Sequence, residues 1–255
     1  MPIRNLLVFL RYDGRAFHGW QVQQNAATAM ETFQRALEGI LREHVELKGC
    51  SRTDAGVHAR RYGVSFRTAC AIPCEGLVRA LNAALPNAMA ALSCREVPAD
   101  FHARYSARGK RYVYRILNSE IRDPFLEGFV YRLAAPLDAA AMDAAAQAYV
   151  GTHDFSSFCN AGGGVRDPVR TMFSAAVTRS GALVTFAVEG NGFLYHMVRI
   201  MAGTLIDLER GVLPRGSLPE IIAARDRSRA GFTAPAAGLL LDDVFYDLPK
   251  GGDAL

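Results

Sequence analysis

The chain has 255 residues, half of them apolar, and a net charge of +4, which suits a globular protein of one large or two smaller domains with a real core. Its longest apolar runs, such as LLVFL, are far shorter than the roughly 20 residues of a membrane span, and the N-terminus lacks a signal-peptide pattern, so a soluble cytoplasmic protein is expected. The cysteines, Cys50, Cys70, Cys74, Cys94 and Cys159, are odd in number and form no CxxC pair. Reduced thiols are therefore favoured over disulfides, and Cys70 with Cys74 makes at most half of a zinc site.

In chain order, LLVFLRY reads as a strand, and TAMETFQRALEGIL as a helix opened by a Thr28/Glu31 capping box. VELKGC and YGVSFRT follow as strands, CEGLVRALNAAL as a helix and ALSCREV as a strand. Strand, helix, two strands, helix, strand is the split order of a ferredoxin-like unit. A similar cycle follows: KRYVYRIL as a strand, LDAAAMDAAAQAYV as a helix, and TMFSAAVTRSGALVTFAVEG as a hairpin turning at Ser180-Gly181. HMVRIMAGTLIDLERG then reads as a helix, LPEIIAARD as a shorter one, and GLLLDDVFY as a last strand. Two related α/β halves, 1–104 and 105–255, would set a cleft at their junction, where ligand sites are favoured. The glycine run AGGGV at 161–165 lacks the GK[ST] of a phosphate loop and reads as a loop.

Three stretches carry candidate chemistry. SRTDAGVH follows the strand-like VELKGC; if residues 50 to 54 leave that strand extended, Arg52 and Asp54 share a face, and Gly56 supplies the positive φ of a sharp exit. An Asp before a turn commonly bonds its own backbone, but a carboxylate buried in a cleft stays ionised only beside a cation, and Arg52 supplies one. Arg199 supplies a second: it falls off the apolar stripe of Met197, Met201, Thr204, Leu205 and Leu208, in a first turn where a cation is disfavoured without a carboxylate partner. A plain surface arginine is the alternative there. Between Arg104 and Arg115 five basic residues, Lys110 and Arg111 among them, interleave with three tyrosines. That pattern suits either an RNA, with phosphates on the cations and bases on the rings, or a basic strand edge.

RTDAGVHA, with YDGRAFHGWQVQ before it and FHARYSARGKRYVYRI, DFSSF, the R-x-P-x-R stretch from Arg166 to Arg170 and FLYHMVRIMAGTL after it, resembles the tRNA pseudouridine synthase A family. Ser51 and Leu240 depart from the family's usual residues. The resemblance implies an α+β fold of two pseudo-symmetric ferredoxin-like (RRM-like) halves, with mainly antiparallel sheets around a central basic cleft. It implies a homodimer without metal or organic cofactor that binds tRNA and isomerises uridine to pseudouridine at positions 38 to 40 of the anticodon arm. By the same resemblance Asp54 is the catalytic residue, as nucleophile at C1′ or in loss of uracil to a glycal. Tyr112 stacks on the extruded uracil, and Arg199 pairs with the Asp. Arg52, Lys110, Arg111, Arg166 and Arg170 meet RNA. Tyr114 is expected in the core and His58 as a structural loop residue. A non-catalytic RNA-binding module, or a hydrolase using Asp54 with His58, are the other classes weighed; the second lacks a further acid or metal site.

Overall fold

A computed structural model describes residues 2–162 and 167–248 of the chain. It is a mixed α+β protein, and its strands pair mostly antiparallel. By compactness the chain divides into Met1–Arg108 with Leu241–Leu255, and Gly109–Leu240.

The first unit runs β1 (Arg4–Tyr12), α1 (Ala29–Leu41), β2 (Lys48–Gly49), β3 (His58–Thr68), α2 (Cys74–Ala84) and β4 (Met89–Val97). β1 lies between β4 and β3, and β2 pairs with the far side of β3, all antiparallel. Residues Leu6 to Leu10 are all buried, which is why β1 reads as a continuous apolar run rather than an alternation. α1 buries Ala29, Phe33, Leu37 and Leu41, the i, i+4 row of one helix face. Thr28 caps it by accepting from the Glu31 amide at 3.3 Å, while the Glu31 carboxylate is engaged by Arg35 at 2.9 Å. Only the Thr28 half of the expected capping box is thus the one described. In α2 the first residue, Cys74, places its sulfur 3.0 Å from that of Cys94 on β4.

The second unit carries β5 (Ala107–Asn118), β6 (Tyr131–Leu133), α3 (Ala139–Ala146), β7 (Gly151–Asp154), β8 (Val169–Ser180), β9 (Leu183–Gly190), α4 (Met197–Glu209) and α5 (Leu218–Ala224). β5, β9, β8 and β7 pair antiparallel in that order, and β6 lies parallel to β5. Ser180 pairs with Leu183, so the hairpin turns at Gly181-Ala182, one residue later than expected, with Gly181 at φ +58. α3 stops at Ala146 and gives way to a 3₁₀ turn, Gln147–Tyr149. The alanine run supplies no apolar stripe to prolong it, and Tyr149 is fully buried with its hydroxyl on the Met201 carbonyl at 3.1 Å. α4 corrects a second expectation: Met197, Val198 and every residue from Ile200 to Leu208 are buried. A helix buried all round has no single stripe, and Arg199, with the terminal Glu209, is its half-exposed exception.

The last strand, β10 (Leu239–Tyr246), returns from Leu241 onward to the first unit and lies beside β3. Asp243 takes Arg61 at 3.0 Å, and the Tyr246 hydroxyl bonds the Ala103 carbonyl at 2.6 Å. Gly63 makes this possible, because a Cβ there would stand 2.5 Å from the Tyr246 hydroxyl. No helix among the described residues is long and apolar enough to cross a membrane.

Candidate active site

Residues 50–57 join β2 to β3, and β2 is only two residues long. Residues 51–54 therefore lie outside the strand ladder, with Arg52 exposed, Thr53 buried and Asp54 half-buried. The VELK segment has too few ladder partners to stay a strand beyond Lys48–Gly49. What fixes the loop instead is a set of backbone bonds. Cys50 donates to the Gly63 carbonyl at 2.8 Å, Trp20 to the Thr53 carbonyl at 3.0 Å, and Gly56 to the Phe17 carbonyl at 3.3 Å. Val57 closes a turn onto the Asp54 carbonyl at 3.2 Å, with Gly56 at φ +78 as expected for a sharp turn. Side chains add to this. The buried Tyr12 hydroxyl and Thr53 Oγ1 are 2.8 Å apart, and the Tyr62 hydroxyl donates to the Ser51 carbonyl.

The clamp is therefore the YDGRAFHGW segment, residues 12–20. Its glycines are required by proximity. At Gly14 a Cβ would fall on the Val57 carbonyl; at Gly19, φ +87, it would stand 2.7 Å from the Thr53 oxygen and 3.2 Å from the Asp54 carbonyl carbon. Its aromatics pack on one another and on β3, with Phe17 edge-on to Tyr12 at 5.9 Å and Trp20 stacked on Tyr62 at 4.2 Å. The Asp54 carboxylate thus projects from backbone held on both sides, which limits its positional freedom. His58 is buried, and its Nδ1 accepts the Gly14 N–H at 3.1 Å. An accepting Nδ1 carries no proton, so its 3.3 Å approach to Asp13 is not an ion pair. The Arg15 hydrogen bond, ahead of other influences, holds the Asp13 carboxyl below the usual carboxylate range. His58 is a structural residue of the clamp.

In the second unit, Tyr112 sits on β5 opposite Val188, 5 % exposed, with Phe193 edge-on at 4.9 Å. Tyr114, two residues on, is fully buried with its hydroxyl on the Pro235 carbonyl at 2.8 Å; burial pushes its phenol up. It is core, as expected. Arg199 is the third residue of α4. Its Nε donates to the Ala234 carbonyl at 2.7 Å, and the Ala234 amide returns a bond to the Arg199 carbonyl at 3.1 Å. That reciprocal pair fixes the plane of the guanidinium. Lys110 is buried, Arg111 reaches Glu189 at 3.5 Å, and Arg170 bonds the carbonyls of Asp167 and Val169. Arg166 and Gly163 to Val165 lie outside the described residues.

A family model described as tRNA pseudouridine synthase matches residues 9–106 and 145–247. The chain belongs to the tRNA pseudouridine synthase family. Among curated relatives it is 43 % identical over 244 residues to the tRNA pseudouridine synthase A of Acetivibrio thermocellus, covering 96 % of this chain and 100 % of that protein. It is 46 % identical over 243 residues to the tRNA pseudouridine synthase A of Moorella thermoacetica, covering 94 % and 99 %. The crystal structure of a Cbf5-Nop10-Gar1 complex matches at 13 % identity and a TM-score of 0.36, over 94 % of this chain and 50 % of that one.

The synthase is an RNA-binding isomerase that makes pseudouridine in tRNA. The matched spans include the Asp54 loop with its clamp, and α4 with Arg199; β5, which carries Tyr112, falls between them. Sequence reasoning named Asp54, Tyr112 and Arg199 as candidates but did not anticipate the clamp that holds the Asp54 loop. Its signal was available in the spacing of Gly14 and Gly19 between aromatics, a pattern of close backbone approach. Among the described residues there is no cluster of three or more His, Cys, Asp or Glu that could hold a metal ion. The Cys74 sulfur faces Cys94 rather than Cys70.

Proposed function

We propose that the synthase uses Asp54 as its nucleophile on uridines of the tRNA anticodon arm, positions 38 to 40, with Tyr112 stacking on the extruded base and Arg199 pairing with the carboxylate. The observation that supports this most is the clamp: a half-buried carboxylate on a loop whose backbone is tied to residues 17, 20 and 63. In this reading the carboxylate oxygen bonds to C1′ as the C1′–N1 pair leaves with uracil. The base turns, its C5 attacks C1′, and the carboxylate departs. The C5 proton goes to a base, N1 ends protonated, and the overall change is an isomerisation. Extruding a stacked base costs a few kcal/mol, and an aromatic platform returns about 1–3 kcal/mol.

The two halves are proposed as pseudo-symmetric ferredoxin-like units enclosing a basic cleft, working as a homodimer in the cytoplasm. The strand order β4-β1-β3-β2 of the first unit supports this. β5, β9 and β8 take the places of β1, β3 and β2, with α3 after β5 and α4 after β9. Exposed Arg52, and Arg111 and Arg170 at half exposure, are proposed to meet phosphates, together with Arg166. Lys110 is covered where it stands, which leaves it a weaker candidate for that role.

Mapping pseudouridine on tRNA transcripts incubated with the protein tests the target. Modification confined to 38 to 40, and lost when those uridines are changed to cytidine, is the expected result; modification elsewhere in the tRNA overturns the anticodon-arm reading. Deuterium at C2′ tests the route. A primary isotope effect there would replace direct attack at C1′ by loss of uracil to a glycal. Sedimentation at assay concentration giving a monomer mass would remove the homodimer.

A further inference from the structure

The geometry points to Arg227 as a positioning residue for this reaction, one that acts through Arg199. The inference rests on the role proposed for Arg199. Arg227 follows α5 and is half-buried, and desolvation pulls its pKa below the usual arginine value. A guanidinium is placed in such surroundings at a cost, so its partners need an explanation. All of them lie on two short segments. Nε donates to Asn160 Oδ1 at 2.7 Å; one terminal nitrogen donates to the Gly231 carbonyl at 2.9 Å, the other to Thr233 Oγ1 at 3.1 Å.

The segment 230–234 is the one whose last residue holds Arg199. It is pinned against α4 at two further points: Gly231 N–H donates to Thr204 Oγ1 at 2.9 Å and Phe232 N–H to Asp207 Oδ2 at 3.2 Å. Space is tight, for a Cβ on Gly231 would stand 2.7 Å from the Thr204 Cα. Arg227 grips the same segment at Gly231 and Thr233, and Ala234 presents its carbonyl to Arg199 Nε at 2.7 Å. Without Arg227, Gly231 and Thr233 lose one tether, and the carbonyl that sets the Arg199 plane is held less firmly.

A second line runs through Asn160. Because Arg227 Nε donates to Oδ1, the amide is oriented with its NH₂ toward His196 Nδ1, 2.7 Å away. Nδ1 must then accept, which keeps the His196 imidazole neutral with its proton on Nε2. His196 is the N-cap of α4, in the left-handed region at φ 63, three residues before Arg199. Arg227 therefore braces both ends of the α4 first turn: the cap through Asn160, and Arg199 through Ala234.

The test is a double-mutant cycle on C5-tritium release from tRNA. Arg199→Lys keeps the charge but lacks the Nε–H that meets Ala234, so it removes the contact through which Arg227 works. In the wild-type background Arg227→Gln is expected to lower kcat about tenfold, with KM and the melting temperature little changed. In the Arg199→Lys background the same substitution is expected to cost less than about twofold. Thr233→Val, a milder variant that keeps the guanidinium, is expected to show a loss of about two- to threefold with the same dependence on Arg199. Equal losses in both backgrounds, or a loss confined to KM or to melting, would overturn the inference while leaving the role of Arg199 standing. If Arg199→Lys alone leaves kcat at the wild-type value, the role of Arg199 falls first and the inference with it.

Discussion

Gly19→Ala isolates the clamp from the chemistry, because residue 19 lies on a different segment from Asp54 and contributes only backbone. An added Cβ would stand 2.7 Å from the Thr53 carbonyl oxygen and 3.2 Å from the Asp54 carbonyl carbon, against 3.4 Å for the near limit of ordinary contact. The Thr53–Asp54 peptide must therefore move by about 0.7 Å, the difference between 3.4 and 2.7 Å. Both neighbours are backbone atoms, so no side-chain rotation relieves the contact. The left-handed φ of +87 adds about 1–2 kcal/mol for a residue with a Cβ. Alanine also stiffens the unfolded chain, worth about 0.4–1 kcal/mol in the opposite direction, so the net effect on stability is destabilising but modest. The effect on rate is larger: a misplacement of about 1 Å at a reacting group costs about 100-fold, and a shift of this size is expected to lower kcat by about 10- to 100-fold. Gly39→Ala is the control. Gly39 is exposed in α1 with nothing within 4 Å of a Cβ, so the change should stabilise by about 0.5–1 kcal/mol and leave kcat alone. Single-turnover tritium release and urea unfolding read the two quantities. A Gly19→Ala protein with wild-type kcat would refute the clamp.

The Tyr12–Thr53 bond is buried at both ends, with exposures of 5 % and 7 %. Tyr12→Phe should destabilise by about 1–3 kcal/mol by stranding the buried Thr53 hydroxyl, Thr53→Val should destabilise through loss of the same bond, and the double variant should cost less than the sum. Urea unfolding of the four proteins checks this. Tyr112→Phe should keep tRNA affinity and most stacking, whereas Tyr112→Ala should lose about 1–3 kcal/mol of base stacking, read as tRNA affinity and single-turnover rate. Cys74 and Cys94, with sulfurs 3.0 Å apart, should join as a disulfide when diamide takes up their two protons and two electrons. Intact mass would fall by two hydrogens, dithiothreitol would restore it, and Cys74→Ser would prevent it.

Much of the fold was legible because its elements are long and strongly patterned: the LLVFL run of β1, the i, i+4 row of α1, and the alternation through β9. β6 and β7 escaped because three or four residues carry no readable period. α4 was found but its environment was misjudged, since a helix buried all round looks amphipathic wherever threonine and glycine interrupt it. Around the candidate site, the turn at Gly56 was legible from turn chemistry and the structural place of His58 from the absence of a chemical role, whereas the role given to Asp54 rests on the family resemblance. The length of the strand before them was not legible, because VELKGC finds ladder partners only at Lys48 and Gly49. The clamp and the Arg227 brace are built from contacts distant in sequence, such as Trp20 with Thr53 and Arg227 with Asn160. Local pattern has no access to those.

The role of Asp54 is tested most directly by tritium release from tRNA labelled at C5 of uracil, comparing wild type with Asp54→Ala at saturating enzyme. The wild-type protein is expected to release one tritium per target uridine. The variant is expected to release none above background while still binding the tRNA. Release by Asp54→Ala at the wild-type rate would contradict the assignment of Asp54 as the catalytic carboxylate.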